Sequence, residues 1–319
     1  MMKRLALALI LVLGAAWHGG CGGSNTAAPQ PTPTPVPTAP AYKTSYSTSY
    51  GPFGIAFSPS GTSSYVSSAN GNTQDYVVVY NNWAGAATWS SYGTTAFKAN
   101  DYSVAVDPSS GNVYLLDNFT NDAVYEFTSA GVTVNSFTGF GSTPFTNIQG
   151  LAVAPNGNVF ILDNGPGKVY VYNSSGVTVA SWSCSGDGYG FAVSPVSPYN
   201  VYVGANTSTN LVTEYSSSGV SITSWGGTAA TAGVGQGKFE QIQAVSVAPN
   251  GNVYVSDSEN GSSYDDFVQE FSPSGTFYCQ WGGTGSGNGQ LHFPYQIAFS
   301  GNDVYVVDDW NSRIVVFGP

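Results

Sequence analysis

Charge is scarce in this chain. Only 8% of its 319 residues are Asp, Glu, Lys or Arg, about a third of the usual share. The few charges are lopsided, with 18 acidic against 7 basic residues and a formal net charge of −11. A phosphate backbone would be repelled, so no nucleic acid is expected as a partner, and the body of the protein has no basic surface for anionic lipid. Histidine is nearly absent. His18 lies near the N-terminus and His292 near the other end. A Ser-His-Asp triad would depend on His292, and no Gly-x-Ser-x-Gly elbow accompanies it. Between Leu291 and Phe293 it reads as a loop residue. No CxxC pair occurs. Cys184 and Cys279 stand beside Trp182 and Trp281 at the same place in two non-adjacent units, too far apart to be bridged. They read as small buried apolar side chains. No helical periodicity runs through the chain, and no apolar stretch is long enough to cross a bilayer.

What is present at the start reads as an export signal. Lys3 and Arg4 form a charged head, Leu5 to Trp17 an apolar stretch, and small residues lead to Cys21. This resembles a bacterial lipoprotein leader, although the place three before the Cys, apolar in that family, holds His18. The resemblance implies a signal peptide over residues 1–20 and a lipidated Cys21 as the new N-terminus. Loss of Lys3 and Arg4 leaves 5 basic residues against 18 acidic, a net charge of −13. Residues 21–41 then form a tether. Pro29, Pro31, Pro33, Pro35, Pro37 and Pro40 alternate with small residues, a composition that favours extended polyproline II. At about 3.1 Å per residue the spacer reaches up to about 60 Å. The expected location is the bacterial cell envelope, with membrane contact through the lipid anchor alone.

From residue 42 to 319 one pattern recurs. Its clearest copies are Leu151 to Asp163 (LAVAPNGNVFILD) and Val245 to Asp257 (VSVAPNGNVYVSD). Each unit has four short runs separated by Gly, Asn, Ser or Pro. The first runs begin at Ile55, Val104, Leu151, Phe191, Val245 and Ile297. Four strands per unit, with a period of roughly 40 to 55 residues and no helix, define propeller blades. The fold expected is all-β, a six-bladed β-propeller. Fourth runs end in Trp89, Phe137, Trp182, Trp225 and Trp281, and none follows Phe317. The missing strand is expected from Tyr42 to Thr48, paired with Ile314 to Phe317, which closes the ring and removes an exposed edge.

The last unit carries a family likeness. Gly285 to Phe299 (GSGNGQLHFPYQIAF), Asp303 to Asp308 (DVYVVD) and Asn311 to Phe317 (NSRIVVF) resemble an NHL repeat, and Gly233 to Phe239 (GVGQGKF) continues the likeness in the fifth unit. Units two to four lack the Asn-x-Arg-Ile element. The resemblance covers roughly residues 50 to 319. It implies the propeller fold, in a family that includes sensors, adaptors and a few enzymes. Zinc lyases and streptogramin lyases of that superfamily use several His residues, or His with Glu, which this chain does not supply.

Function is expected where inner strands meet the channel mouth. The residue two before each first run should ring that opening: Phe53, Tyr102, Gln149, Tyr189, Gln243 and Tyr295. Aromatic rings and amides there would stack on flat ligands or sugars and hydrogen-bond their edges; alternatively they plug the channel. Loops after the second runs offer Asp117, Asp163, Asp257, Glu259 and Asp308. Such oxygens hold Ca²⁺ when clustered, yet no calcium-loop spacing occurs, and Asp and Asn also cap turns. The glycine-rich stretch Gly282 to Gly287 precedes a strand rather than the helix that a phosphate cradle needs. The leading expectation is a monomeric, surface-anchored, non-catalytic module that binds an envelope protein or glycan without a cofactor. The alternative is a metal-assisted lyase or hydrolase using Asp257, Glu259 and Asp308.

Overall fold

The middle strands of each unit are apolar on both faces, because both faces of a blade are covered by its neighbours. A computed structural model describes residues 37–69, 75–97, 103–118, 122–184, 188–228, 236–258 and 266–319. Val113–Asp117 and Val159–Asp163 are buried at every position. Fourth strands such as Thr178–Ser183 alternate exposed and half-buried residues, as an outer edge does. The described residues form six four-stranded antiparallel sheets and two short ribbons, with no helix. The inner strands are Gly51–Phe57, Ser103–Val106, Ile148–Val153, Gly188–Val193, Gln241–Val247 and Pro294–Ser300. Each contacts the inner strands before and after it, and the last contacts the first. The protein is a six-bladed β-propeller.

Its core is six apolar layers, one between each pair of neighbouring blades. Outer-strand indoles fill the wide end of the layers. The turn glycines Gly131, Gly219 and Gly275 have positive φ and lie against Trp89, Trp182 and Trp225 of the preceding blade. A Cβ at Gly275 would meet the Trp225 ring at 2.5 Å, so these turns need glycine for both shape and space.

The fourth strand of blade six is Ala41–Ser47, antiparallel to Arg313–Gly318. It starts one residue earlier than the sequence pattern suggests. Tyr46 faces Ile314, the register in which Trp225 faces Val212 and Trp281 faces Val268. Tyr46 is therefore the outer aromatic that unit six otherwise lacks. Across the seam Trp83 replaces the turn glycine. It has φ 63° and stacks on Tyr46 at 4.1 Å and 4°. Among the described residues the fully buried side chains of the seam layer are Ile55, Val66, Val307 and Ile314, and half-buried aromatics pack against them.

Candidate functional site at the channel mouth

Five inner strands begin with the same irregularity. Pairing with the second strand steps from Pro52 to Gly54, from Ile148 to Gly150, from Gly188 to Gly190, from Ile242 to Ala244 and from Pro294 to Ile297. The skipped residues are Phe53, Gln149, Tyr189, Gln243 and, together, Tyr295 and Gln296. A β-bulge leaves its extra residue outside the ladder and re-aims its side chain. Here all five of the described ring positions line one cavity of about 370 Å³ in the channel. Tyr102 lies outside the described residues.

The bulges are held by the loops around them. Asn206 accepts from Ile242 N–H through Oδ1 and donates to the Ile242 carbonyl through Nδ2, both at 2.8 Å. Asn164 makes the same pair of bonds to Gly188, at 3.2 and 2.9 Å. Each Asn thus reaches from one blade to the residue just before the bulge of the next. The buried carboxylates at second-strand ends hold the incoming loops. Asp163 accepts from the backbone N–H groups of Thr146, Asn147 and Gly165 at 3.0 to 3.2 Å. Asp257 accepts from those of Glu240 and Gln241, both at 2.9 Å. Asp308 accepts from His292 N–H at 2.6 Å, from the Asn311 amide and from Arg313 Nε at 2.6 Å. Arg313 also donates to the carbonyls of Ser286, Gly287 and Gln290, which staples the glycine-rich loop.

Asp163, Asp257 and Asp308, three of the carboxylates that the sequence offers as cation ligands, have these duties instead. Glu259 lies outside the described residues. Among the described residues no three His, Cys, Asp or Glu side chains are grouped as a metal site would require. Burial pushes the Asp257 carboxyl up to about 7, against the backbone donors that lower it. It pushes Asp309 up to about 6, with the nearby Asp308 charge adding to the rise. Cys184 and Cys279 are free and half-buried, and burial raises their thiols to about 11 and about 12.

The mouth has two unlike sides. Blades one and six supply aromatics. Phe53 meets Tyr295 edge-on at 5.4 Å, Tyr295 meets Phe293 at 5.5 Å, and Phe293 stacks on Trp310 at 5.2 Å. Trp310 is 63% exposed. Phe293 has φ 59°, a strained conformation for a bulky residue, and it precedes Pro294, where extended backbone is preferred. Blades three and five supply amides. Gln149 Nε2 donates to Asn147 Oδ1 at 2.8 Å, and the buried Gln243 donates to Ser258 Oγ at 2.7 Å. Tyr189 stands at the rim, 49% exposed. Below the rim, Ala56, Ala105, Ala152, Ala192 and Ala298 line the shaft.

Two residues here carry no sequence signal of their kind. Gln296 occupies the place of Gly54 and Gly150. Its Oε1 accepts from Ile55 N–H and its Nε2 donates to the Val104 carbonyl, each at 3.1 Å, which ties blade six to blades one and two. Gly54 makes room for it, since a Cβ there would lie 2.7 Å from Gln296 Oε1. Trp310 reaches the mouth through Phe293, a contact that local sequence does not reveal.

Bulged inner strands around one channel, with a cavity of about 370 Å³ between them, define a six-bladed propeller with a candidate ligand cavity. Solved structures of the same fold are similar to the chain. A protein of unknown function from Bacteroides thetaiotaomicron shares 16% identity, with TM-score 0.63 over 88% of this chain and 73% of that one. Virginiamycin B lyase from Staphylococcus aureus shares 13%, with TM-score 0.60 over 86% and 98%. Kuenenia stuttgartiensis hydrazine synthase shares 14%, with TM-score 0.59 over 83% and 76%. At such identities the likeness is one of fold. The sequence matches no protein-family model and no curated protein.

Proposed function

We propose that the protein is a non-catalytic, NHL-like binding propeller, held at the bacterial envelope by a lipid on Cys21, that takes an envelope protein or glycan at the bulge end of its channel. One observation carries this reading. Among the described residues, not one Asp, Glu, His, Lys, Arg or Cys side chain lines the cavity. Ser103, Ser246, Tyr189 and Tyr295 bring hydroxyl groups to the cavity, and such hydroxyls are activated by a base of the kind that the described lining lacks. Aromatic and amide side chains bind and orient. The metal-assisted alternative is further weakened because Asp257 and Asp308 spend their oxygens on backbone N–H groups and on Arg313.

The test replaces Phe53, Tyr189 and Tyr295 together with Ala and compares wild-type and variant capture of purified envelope proteins and of an immobilised glycan panel. Loss of capture with an unchanged melting curve supports the reading; undiminished capture overturns it. Incorporation of a labelled fatty acid that disappears in Cys21→Ala tests the anchor separately.

A further inference from the structure

Two of the four glutamines that line the cavity, Gln149 and Gln243, are oriented alike. Gln149 and Gln243 each spend an Nε2 donor on a neighbour, Asn147 Oδ1 and Ser258 Oγ. A side-chain amide held by its nitrogen presents its carbonyl oxygen, which can only accept. An amide nitrogen carries two N–H groups, so the amide side can also donate, and a hydroxyl group, which both donates and accepts, matches it. The opposite side, Phe53 against Tyr295, offers ring edges and faces, which favour flat C–H surfaces. Charge narrows the class further. A charged ligand entering this cavity would lose water without meeting a counter-charge among the described lining residues, a loss that hydrogen bonds alone repay poorly. An anion would also approach a protein of net charge −11. Size points the same way. A volume of about 370 Å³ lies at the small end of ligand sites and suits a ring rather than a folded surface.

Resting on the binding reading above, we infer that the cavity takes the end of a neutral glycan: an uncharged, hydroxyl-rich ring whose hydroxyl groups donate to Gln149 Oε1 and Gln243 Oε1 and whose C–H face lies on Phe53 and Tyr295. Bonding is non-covalent throughout, and no group is transferred.

Isothermal titration of the full chain against three sugar panels tests this. One panel is neutral (cellobiose, maltose, N,N′-diacetylchitobiose), one anionic (digalacturonate) and one cationic (chitobiose). The expected result is saturable binding of a neutral sugar with little dependence on salt. Gln149→Met keeps the side-chain length and removes the acceptor, and should weaken binding about tenfold. Phe53→Ala should weaken it by a similar factor. Gln243→Met serves as an independent second variant. Binding confined to the charged panels, neutral binding that all three variants leave unchanged, or a silent neutral panel would each overturn the sugar assignment. If the Phe53/Tyr189/Tyr295 variant still loses capture of an envelope protein in that case, the mouth remains a binding site and the sugar inference alone falls.

Discussion

The two ends of the inner strands follow opposite rules. At the turn end the same device recurs. Asn112, Asn200 and Asn252 each donate a side-chain N–H to a glutamate of the third strand, Glu126, Glu214 and Glu270, at 2.7 Å. Tyr114, Tyr202 and Tyr254 lie beside the same carboxylates, and burial followed by that negative charge raises their hydroxyl pKa values. At the bulge end the backbone irregularity recurs while the side chain on it changes: Phe53, Gln149, Tyr189, Gln243, Tyr295. Repetition at one end holds blades together. Variation at the other, on a repeated scaffold, builds a surface that can be specific. Stability and recognition should therefore separate along the strand axis.

The boundary between the two duties is sharpest at the carboxylates that hold the bulge-end loops. Asp308 is fully buried and bonds Arg313, whose side chain is only 12% exposed. Asp308→Ala would strand that guanidinium and release the loop carrying His292. The expected loss is about 3–5 kcal/mol in a denaturant melt, with the glycine-rich loop opened to protease. A loss below about 1 kcal/mol would mean that the bulge end is not a rigid platform.

Asp257 gives the comparison a pH signature. Its folded pKa is raised, by burial first, to about 7 from 3.8. The folded protein thus keeps a proton that the unfolded chain releases. This contribution to stability is complete below about pH 4, declines as pH rises toward 7 and is flat above. Its size is on the order of 4 kcal/mol at most. Asp309, raised to about 6, acts in the same direction. Urea midpoints between pH 4 and 8 should fall for the wild type and fall less for Asp257→Asn. Equal slopes would remove Asp257 as their source.

At the turn end, Asn252→Ala removes a donor from Glu270, which is buried. The expected cost is about 1–3 kcal/mol, read as a lower melting midpoint with ligand capture unchanged. A change in capture without a change in stability would reverse the proposed division of labour.

Much of this was legible in one dimension. Blade number and the closing strand follow from a period, and a period needs no three-dimensional knowledge. The ring positions can be counted back from each inner run, but what takes them out of the ladder is the bulge, a property of pairing that a single strand does not declare. The Asp and Asn residues were ambiguous for a different reason. A carboxylate that caps a loop and one that awaits a cation have the same letters, and only the N–H groups around Asp163 and Asp257 distinguish them. The Phe293–Trp310 stack joins two loops of blade six and the Gln296 strut joins the inner strands of three blades, so nothing near them in sequence foretells them.

The smallest expected effect is the most discriminating. Tyr189 is the bulge residue of blade four, 49% exposed, outside the ladder pairing that steps from Gly188 to Gly190. The backbone on either side is held without its side chain. Asn164 bonds both polar groups of Gly188, and Gly190 packs so closely on Val245 that an added Cβ would meet it at 2.6 Å. Tyr189→Ala should therefore leave the melting midpoint within about 0.5 kcal/mol of wild type. If the bulge exists to aim a side chain at a ligand, that same substitution should weaken capture at the mouth by several-fold, toward about tenfold. A shift in stability comparable to that of Asn252→Ala would instead make Tyr189 a plug of the channel and assign both ends of the strand to holding the ring together.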